Sequence, residues 1–261
     1  MFTISIITVC YNNIQELVST IKSVDKQKYK NFEHILINGS SNPNIENYLS
    51  TTPQPEFRKT INEPDKGIAD AFNKGFNKST GKFILLLNSG DELYSESVLN
   101  TVSNIIANNT NFKGWLHGDF VTERSGHQIK IGKPFEKDKL YRGMRRVCHQ
   151  TMYVHRGLYE KYGLYNLDEK IGMDYDFLCR ISQEPFIYIK EPLVYYKPGG
   201  VSESQYYKAL VDQKRIYLKY FKYHIKIDLW IIRQKTLFTI QNSNLGKLLY
   251  SVKRFLNLEN W

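Results

Sequence analysis

The chain has 261 residues, a formal net charge of +10 and 41% hydrophobic residues. That is enough for one large domain, or one domain with an appendage, and enough apolar content to bury a core. Its three cysteines, Cys10, Cys148 and Cys179, are odd in number and far apart. They form neither a zinc spacing nor a disulfide framework, and a reducing, cytosolic compartment is expected.

The segment "MFTISIITVCYNN" has no basic n-region and reads as a β-strand rather than a secretory leader. No stretch approaches the ~20 apolar residues of a spanning helix, so a soluble or peripheral protein is expected. Residues Thr3–Val9 alternate and are β-branched, which predicts a strand. Ile14, Leu17, Val18, Ile21 and Val24 recur at helical spacing and place an amphipathic helix over Asn13–Gln27. Phe32–Ile37 is a second strand, followed by the turn Asn38-Gly39-Ser40-Ser41-Asn42-Pro43, a short helix and a polar stretch through Pro55. Phe57–Asn62 reads as a weak third strand, Asp65–Asn77 as a turn and helix, and Lys82–Leu87 as a strong fourth strand. Val98, Leu99, Val102, Ile105 and Ile106 form the next helix face. A β-α alternation over about 110 residues implies a mostly parallel, doubly wound sheet with helices on both faces.

The pattern then changes. Trp115–Glu123 and His127–Ile131, separated by Arg124-Ser125-Gly126, read as a hairpin. Lys133–Val147 is a polar, basic loop, and Cys148–Val154 a strand. Leu158–Tyr162 lies on a helix ending near Gly163, and Met173–Ser182 is another helix. Phe186–Ile189 and Leu193–Tyr196 are strands. From Ser204 the chain is helical, with a break expected around Asn242-Ser243-Asn244. This tail carries most of the excess charge: from Tyr206 to Trp261 there are 11 basic residues against 3 acidic ones.

No GxGxxG follows the first strand and no Walker motif is present, so dinucleotide and NTPase readings are weak. A doubly wound sheet nevertheless binds its ligand beyond the carboxyl ends of its strands. Those ends are Thr8–Asn12, Asn38–Asn42, Glu63–Asp65 and Asn88–Asp91, all polar and two of them acidic. Such a site is rich in hydrogen-bonding side chains and poor in phosphate-cradling glycines.

Six stretches in order, "SIITVCYNN", "SVDKQKYKNFEHILINGSS", "EPDKGIADAFNKG", "ILLLNSGDELY", "CHQTMYVHRGLYEKYGLYN" and "GMDYDFLCRIS", together resemble a family 2 glycosyltransferase of the GT-A fold. The branch it resembles builds bacterial O-antigen, capsule or exopolysaccharide. The resemblance covers roughly residues 2–203. It implies a catalytic domain over residues 1–203, with a nucleotide-binding half (1–110) and an acceptor half (111–203), before a basic helical extension (204–261).

The resemblance also implies roles. Thr8, Tyr11 and Asn38 would line the nucleotide base, with Asp65 and Asp70 near base and ribose. Asp91 would be the surviving acid of a metal-binding turn for Mn²⁺ or Mg²⁺. Asp174 would be the catalytic base, and Asp119, His149 and Gln150 would face donor sugar and acceptor. The donor would be a nucleotide-diphosphate sugar, UDP before GDP. The acceptor would be an undecaprenyl-diphosphate-linked saccharide at the inner face of the cytoplasmic membrane. The basic, aromatic tail would rest there on anionic lipid rather than on nucleic acid.

The chemistry asks for these residue types independently. A departing nucleoside diphosphate carries negative charge that a cation stabilises, and a hydroxyl nucleophile near neutral pH needs a carboxylate within ~3 Å to take its proton. Taken alone, Asp91 reads as a helix cap, Asp174 as a first-turn helix acid and His149 as a buried core histidine.

The sequence departs from the family pattern in three places. Asn38 stands where an Asp usually meets the base. Asn88-Ser89-Gly90-Asp91 replaces a richer Asp-x-Asp-Asp turn. Met173 replaces a Glu, and Asp176, two residues along, points elsewhere on a helix. A nucleotidyltransferase would want a Gly-rich basic loop after the first strand, which "TVCYNN" does not supply. A non-catalytic sugar-nucleotide or glycan-binding protein of the same fold is the alternative that the thinned acidic turn favours.

Overall fold

The computed structural model describes residues 3–124, 126–144, 147–241 and 243. Its first half alternates as the periodicity predicts: β1 (Ile4–Cys10), α1 (Ile14–Asp25), β2 (Phe32–Asn38), α2 (Pro43–Thr51), β3 (Arg58–Asn62), α3 (Ile68–Lys78), β4 (Phe83–Asn88), the two-residue β5 (Glu92–Leu93) and α4 (Val98–Asn108). Local chemistry sets the helix starts. Asn13 caps α1 by accepting from the backbone N–H groups of Gln15 and Glu16 at 3.1 and 3.2 Å. Asn42 caps α2, and Pro43 follows at its first turn, where a missing N–H costs nothing.

The second half holds β6 (Trp115–Arg124), β7 (His127–Ile131), β8 (Tyr153–His155), α5 (Arg156–Tyr162), α6 (Met173–Ile181), β9 (Phe186–Tyr196), α7 (Val201–Ser204), α8 (Tyr206–Tyr220) and α9 (Ile225–Gln241). The sheet runs β3-β2-β1-β4-β8-β6-β9-β5, with β7 on β6. β1 to β4 pair in parallel. β8 is antiparallel to β4 and β6, and β6 and β9 restore a long parallel ladder. Alternate residues serve opposite faces. Ile7, Val9, Ile35, Ile37, Ile84 and Leu86 pack with α3, α5, α6, α8 and α9, whereas Ile4, Ile6, Leu85 and Leu87 pack with α4.

The second half differs from the sequence reading in ways that matter for the site. The expected strand over Cys148–Val154 begins with a 3-10 turn, His149–Thr151, and β8 starts only at Tyr153. The polar "CHQT" closes its own bonds: the Cys148 carbonyl accepts from Thr151 N and Oγ1 at 2.9 and 2.8 Å. The two expected strands at 186–189 and 193–196 are one strand, β9, which bulges around Pro192 opposite Asp119 of β6. Lys137–Arg142 forms a 3-10 turn inside the expected loop. The helical tail breaks earlier than expected, between α8 and α9 at residues 221–224, and Asn242 and Asn244 of the expected break lie outside the described residues.

α8 and α9 are integral to the core. Leu210, Ile216, Tyr217, Ile227 and Ile231 bury themselves in the same cluster as Ile7 and Val9. Among the described residues no helix is long and apolar enough to cross a membrane.

Candidate active site

The carboxyl ends of β1, β2, β3 and β4 carry the residues that the sequence marks for a nucleotide, and they are not equally presented. Tyr11, just past β1, is 67% exposed and free to stack on a flat ligand. Asn38 is buried at the end of β2: it donates to Asn62 Oδ1 at 3.2 Å and accepts from Ser40 N at 3.1 Å. Asp65 and Asp70 organise the turn before α3. Asp65 accepts from Gly67 N at 2.8 Å, and Asp70 accepts from Lys66 N at 2.9 Å. Asp65 packs so tightly on Gly39 that a Cβ there would lie 1.6 Å from its Oδ2.

Thr8 corrects the sequence reading. Its side chain is 0% exposed and pairs with His34 Nε2 at 2.9 Å, while His34 Nδ1 accepts from Arg58 Nε at 2.9 Å. Burial, and then the Arg58 guanidinium, hold His34 well below the usual histidine range. Thr8 therefore braces the strand from inside and does not reach a ligand surface.

Beyond β4 a cleft of about 460 Å³ gathers Asn88, Asp91, His149, Gln150 and Asp174 from three separate stretches of chain. Asp174, in the first turn of α6, accepts from Tyr175 N at 2.8 Å through Oδ1. Its Oδ2 lies 3.3 Å from His149 Nδ1. His149 Nε2 in turn lies 3.4 Å from Asn88 Nδ2 at the end of β4. His149 therefore links the acid on α6 to the polar end of the central strand.

Asp119 is the second correction. It is buried, held by the Tyr188 hydroxyl and by Lys130 Nζ at 3.6 Å, and lies outside the cleft lining. It lies opposite the β9 bulge, against Tyr188 of β9 and Lys130 of β7, while its neighbour Phe120 lines the cleft.

Asp91 lines the cleft but is only 3% exposed. Its Oδ2 accepts from Gln150 Nε2 at 2.8 Å and its Oδ1 from Lys197 N at 2.9 Å. Gln150 is fixed from its other end by the Cys148 thiol, which donates to Oε1 at 2.8 Å. Burial pushes the Asp91 carboxyl up to about 6, with nearby Glu16 adding to the effect and the two hydrogen bonds opposing it.

The donor set decides whether this turn fits a divalent cation. Hard cations take several oxygen ligands, with at least one or two carboxylates. Both Asp91 oxygens already hold protein donors, and the neighbouring acid Glu16 is paired with Lys197 Nζ at 2.9 Å. Among the described residues no group of three His, Cys, Asp or Glu side chains is arranged to hold a metal. Asn88 Oδ1 and Ser89 Oγ are buried with no hydrogen-bond partner in the protein, but they are neutral oxygens. The residues present do not form a cation site in this arrangement.

The cleft residues that escaped the sequence reading include Glu16, Lys170, Tyr196 and Lys197. One signal was available for Lys197. It is a basic residue directly after a strand and before Pro198-Gly199-Gly200, the kind of strand end where binding groups collect.

α8 holds the segment that carries Asp174. Arg215 pairs in bidentate fashion with buried Glu169. Ile216 packs on Gly172, where a Cβ would come within 2.4 Å of it. Asp176, turned away from the cleft as expected, is fully buried and binds Arg180 at 3.1 Å, Lys219 at 3.0 Å and Tyr220 at 2.7 Å.

Comparison with known proteins adds a family and a fold. The family model for Glycosyl transferase family 2 matches residues 5–163. The uncharacterized glycosyltransferase Rv1514c of Mycobacterium tuberculosis is 32% identical over 181 residues, 68% of each chain. The PGL/p-HBAD biosynthesis glycosyltransferase Rv2957 of the same species is 29% identical over 212 residues, 78% of this chain and 80% of that one.

Among solved structures, S. aureus TarS matches with a TM-score of 0.63 at 15% identity, over 94% of this chain and 45% of TarS. Its 1–349 form in complex with UDP-GlcNAc matches at 0.62 and 14% identity, over 88% and 70% of the two chains. The mannosyltransferase PcManGT of Pyrobaculum calidifontis, in complex with GDP-Man and Mn²⁺, matches at 0.63 and 13% identity, over 98% and 80%. At these identities the structural matches establish the GT-A fold.

Proposed function

The chain belongs to glycosyl transferase family 2, and from that premise we propose that its cleft moves a hexose or N-acetylhexosamine from a nucleotide-diphosphate sugar to a hydroxyl of a lipid-linked saccharide. The observation that carries this reading is the His149–Asp174 contact facing the Asp91 turn across one cleft. The nucleotide would lie over the ends of β1 to β3, with Tyr11 against the base and the Asp65–Asp70 turn near the ribose. A UDP-sugar is the first choice of donor, with a GDP-sugar the alternative that Asn38 leaves open.

The family's inverting outcome needs one base and no covalent nucleophile. The acceptor oxygen attacks the anomeric carbon as the bond to the diphosphate breaks. The nucleoside diphosphate leaves with the bonding electrons, and the hydroxyl proton passes to an Asp174 oxygen. His149 orients that carboxylate, and Asn88 orients His149. Mn²⁺ or Mg²⁺ is the family's expected cofactor, but buried Asp91 is the one acid of its turn and the described residues gather no group of three metal-ligating side chains, and no step here runs through it.

The acceptor is proposed to be an undecaprenyl-diphosphate-linked saccharide of bacterial surface polysaccharide synthesis, met at an anionic membrane surface on the cytoplasmic side. The support is α9, which is apolar on two faces. Ile227 and Ile231 are buried, while Ile225, Leu229 and Ile232 are exposed at a spacing of four and three residues. Lys222, Lys226, Arg233 and Lys235 flank that exposed stripe in sequence, as a helix resting on anionic lipid requires. Sedimentation with anionic vesicles, lost at high salt, is the expected result. Equal binding to neutral vesicles, or none to either, rules this surface out.

The reaction is tested by following nucleotide release from a panel of UDP- and GDP-sugars with a lipid-diphosphate-sugar acceptor. Release of one nucleotide by the wild type and its loss in Asp174→Asn is the expected outcome. Binding of nucleotide with no turnover in the presence of acceptor supports a sugar-nucleotide-binding protein instead.

A further inference from the structure

A transferase that releases a nucleoside diphosphate must meet that leaving group with positive charge. The Asn88-Ser89-Gly90-Asp91 turn offers no second acid to bring a cation there. The reason lies in the packing around Gly90. Its φ is 100°, a left-handed value that strains any residue with a side chain. A Cβ built on it would meet Lys197 Cδ at 3.3 Å and the Glu16 Cγ and Cδ atoms at 3.5 Å. Beside the turn, where a second carboxylate would project, the flexible arms of Lys197 and Glu16 stand in van der Waals contact.

Those arms end in an ion pair, with Lys197 Nζ 2.9 Å from Glu16 Oε1, and both residues line the cleft. The Lys197 side chain is half exposed, so its ammonium can reach solvent or a ligand. Its backbone is fixed, because Lys197 N donates to Asp91 at 2.9 Å. Asp91 is therefore an anchor for the strand end that carries the lysine. Lys170, on the loop before α6, adds a second ammonium to the lining.

We infer that Lys197 is the cation that receives the donor diphosphate, and that Glu16 is its resident counter-ion, displaced when the diphosphate arrives. An ammonium is a point-charge phosphate binder that needs no matched geometry. The exchange is balanced in charge: Lys197 leaves one carboxylate and takes a phosphate oxygen, while Glu16 turns to water. No covalent step is involved. The inference rests on the proposed nucleotide-sugar function, and it names the group that does the work usually given to a divalent cation.

The test is calorimetric titration of the full chain with UDP, UMP and uridine, and with GDP, GMP and guanosine. Each is run in EDTA and then in Mn²⁺, on the wild type, Lys197→Met and Glu16→Gln. The wild type is expected to bind one nucleoside diphosphate in EDTA within about twofold of its affinity in Mn²⁺. Lys197→Met should weaken the diphosphate by about tenfold or more, the scale of a charge-assisted hydrogen bond, and leave the nucleoside unchanged.

Glu16→Gln should tighten the diphosphate, because its competitor is gone. A merely structural ion pair predicts weakening in both variants, so the opposite signs are the discriminating result. The Asp91 contact uses the Lys197 backbone, so the methionine variant should keep its melting temperature. Diphosphate binding that requires Mn²⁺ and ignores Lys197→Met overturns the inference. A wild type that binds no nucleotide under any condition overturns the functional reading itself, and this inference with it.

Discussion

The two halves of this protein build their ligand surfaces in different ways. Over β1 to β4 the polar residues at the strand ends bind one another or the local backbone, within one regular β-α unit. Asn38 meets Asn62 and Ser40, and Asp65 and Asp70 hold the turn beside them. Across the cleft, side chains meet partners from remote parts of the chain. Asp91 is held by Gln150 and by Lys197, 59 and 106 residues away. The first surface is a property of a local motif, whereas the second exists only when the whole sheet and α8 are assembled. Disturbing the nucleotide side should therefore show first in donor affinity, whereas disturbing the cleft side should cost stability and turnover together.

The largest effect is expected at the centre of the cleft. Asp91→Ala removes the acceptor for Gln150 Nε2 and Lys197 N at a buried point, at a cost of about 1–3 kcal/mol for each donor left without a partner. The melting temperature should fall in EDTA as well as in Mn²⁺, and transfer should be lost. An Asp91 kept solely as a cation ligand would leave the EDTA melt unchanged, and that result breaks the contrast drawn here.

Arg215→Met comes next. Glu169 is buried but Arg215 is about half exposed, so the loss is discounted for solvent to about 1–2 kcal/mol. Steady-state kinetics should show a reduced kcat with the donor KM little changed, because the segment carrying Asp174 loosens while the nucleotide surface does not. A change confined to KM would contradict the role given to α8.

A pH dependence of stability should come from His117, which is fully buried between Trp115, Phe186 and Tyr188 with neither ring nitrogen hydrogen-bonded in the protein. Burial lowers it from the usual histidine value of 6.5 to about 4. The unfolded chain takes up the proton first, so stability is fully present above about pH 6.5 and falls as pH drops toward 4. The full window is worth roughly 3 kcal/mol at 1.36 kcal/mol per unit. Melting followed from pH 7 to 4 should show this slope in the wild type and a shallower one in His117→Phe, the remainder belonging to buried His34.

The smallest effect belongs to Thr8→Val, which leaves His34 Nε2 without its partner. A loss of about 1 kcal/mol is expected in chemical denaturation, with donor affinity unchanged. A strong effect on donor affinity would restore Thr8 to the ligand surface.

These contrasts follow what could be read in the sequence. The strands and helices of the first half were legible because their periodicity is local, and the Asn88–Asp91 turn was legible because an apolar run stops there. His149, Gln150 and Asp174 were picked out by motif, and the fold brings all three to one cleft with Asp91. Their partners were hidden because nothing local marks a bond across 106 residues. Glu16 is a first-turn acid of α1, and nothing local marks it as a cleft residue. Asp119 was misplaced because its partners, Tyr188 and Lys130, lie on neighbouring strands, and Pro192, in the β9 bulge opposite it, made that strand look like two. Thr8 was misread because strand-end polarity does not reveal which face a side chain takes when the partner is a buried histidine on the next strand.

The most direct test of the account compares binding with turnover in one variant. Asp174→Asn keeps the shape of the cleft and removes the proton acceptor. It should bind the donor nucleotide as the wild type does and release it in the presence of acceptor about 10²- to 10⁴-fold more slowly. Turnover at the wild-type rate would show that Asp174 is not the base and that the cleft chemistry has been assigned to the wrong group.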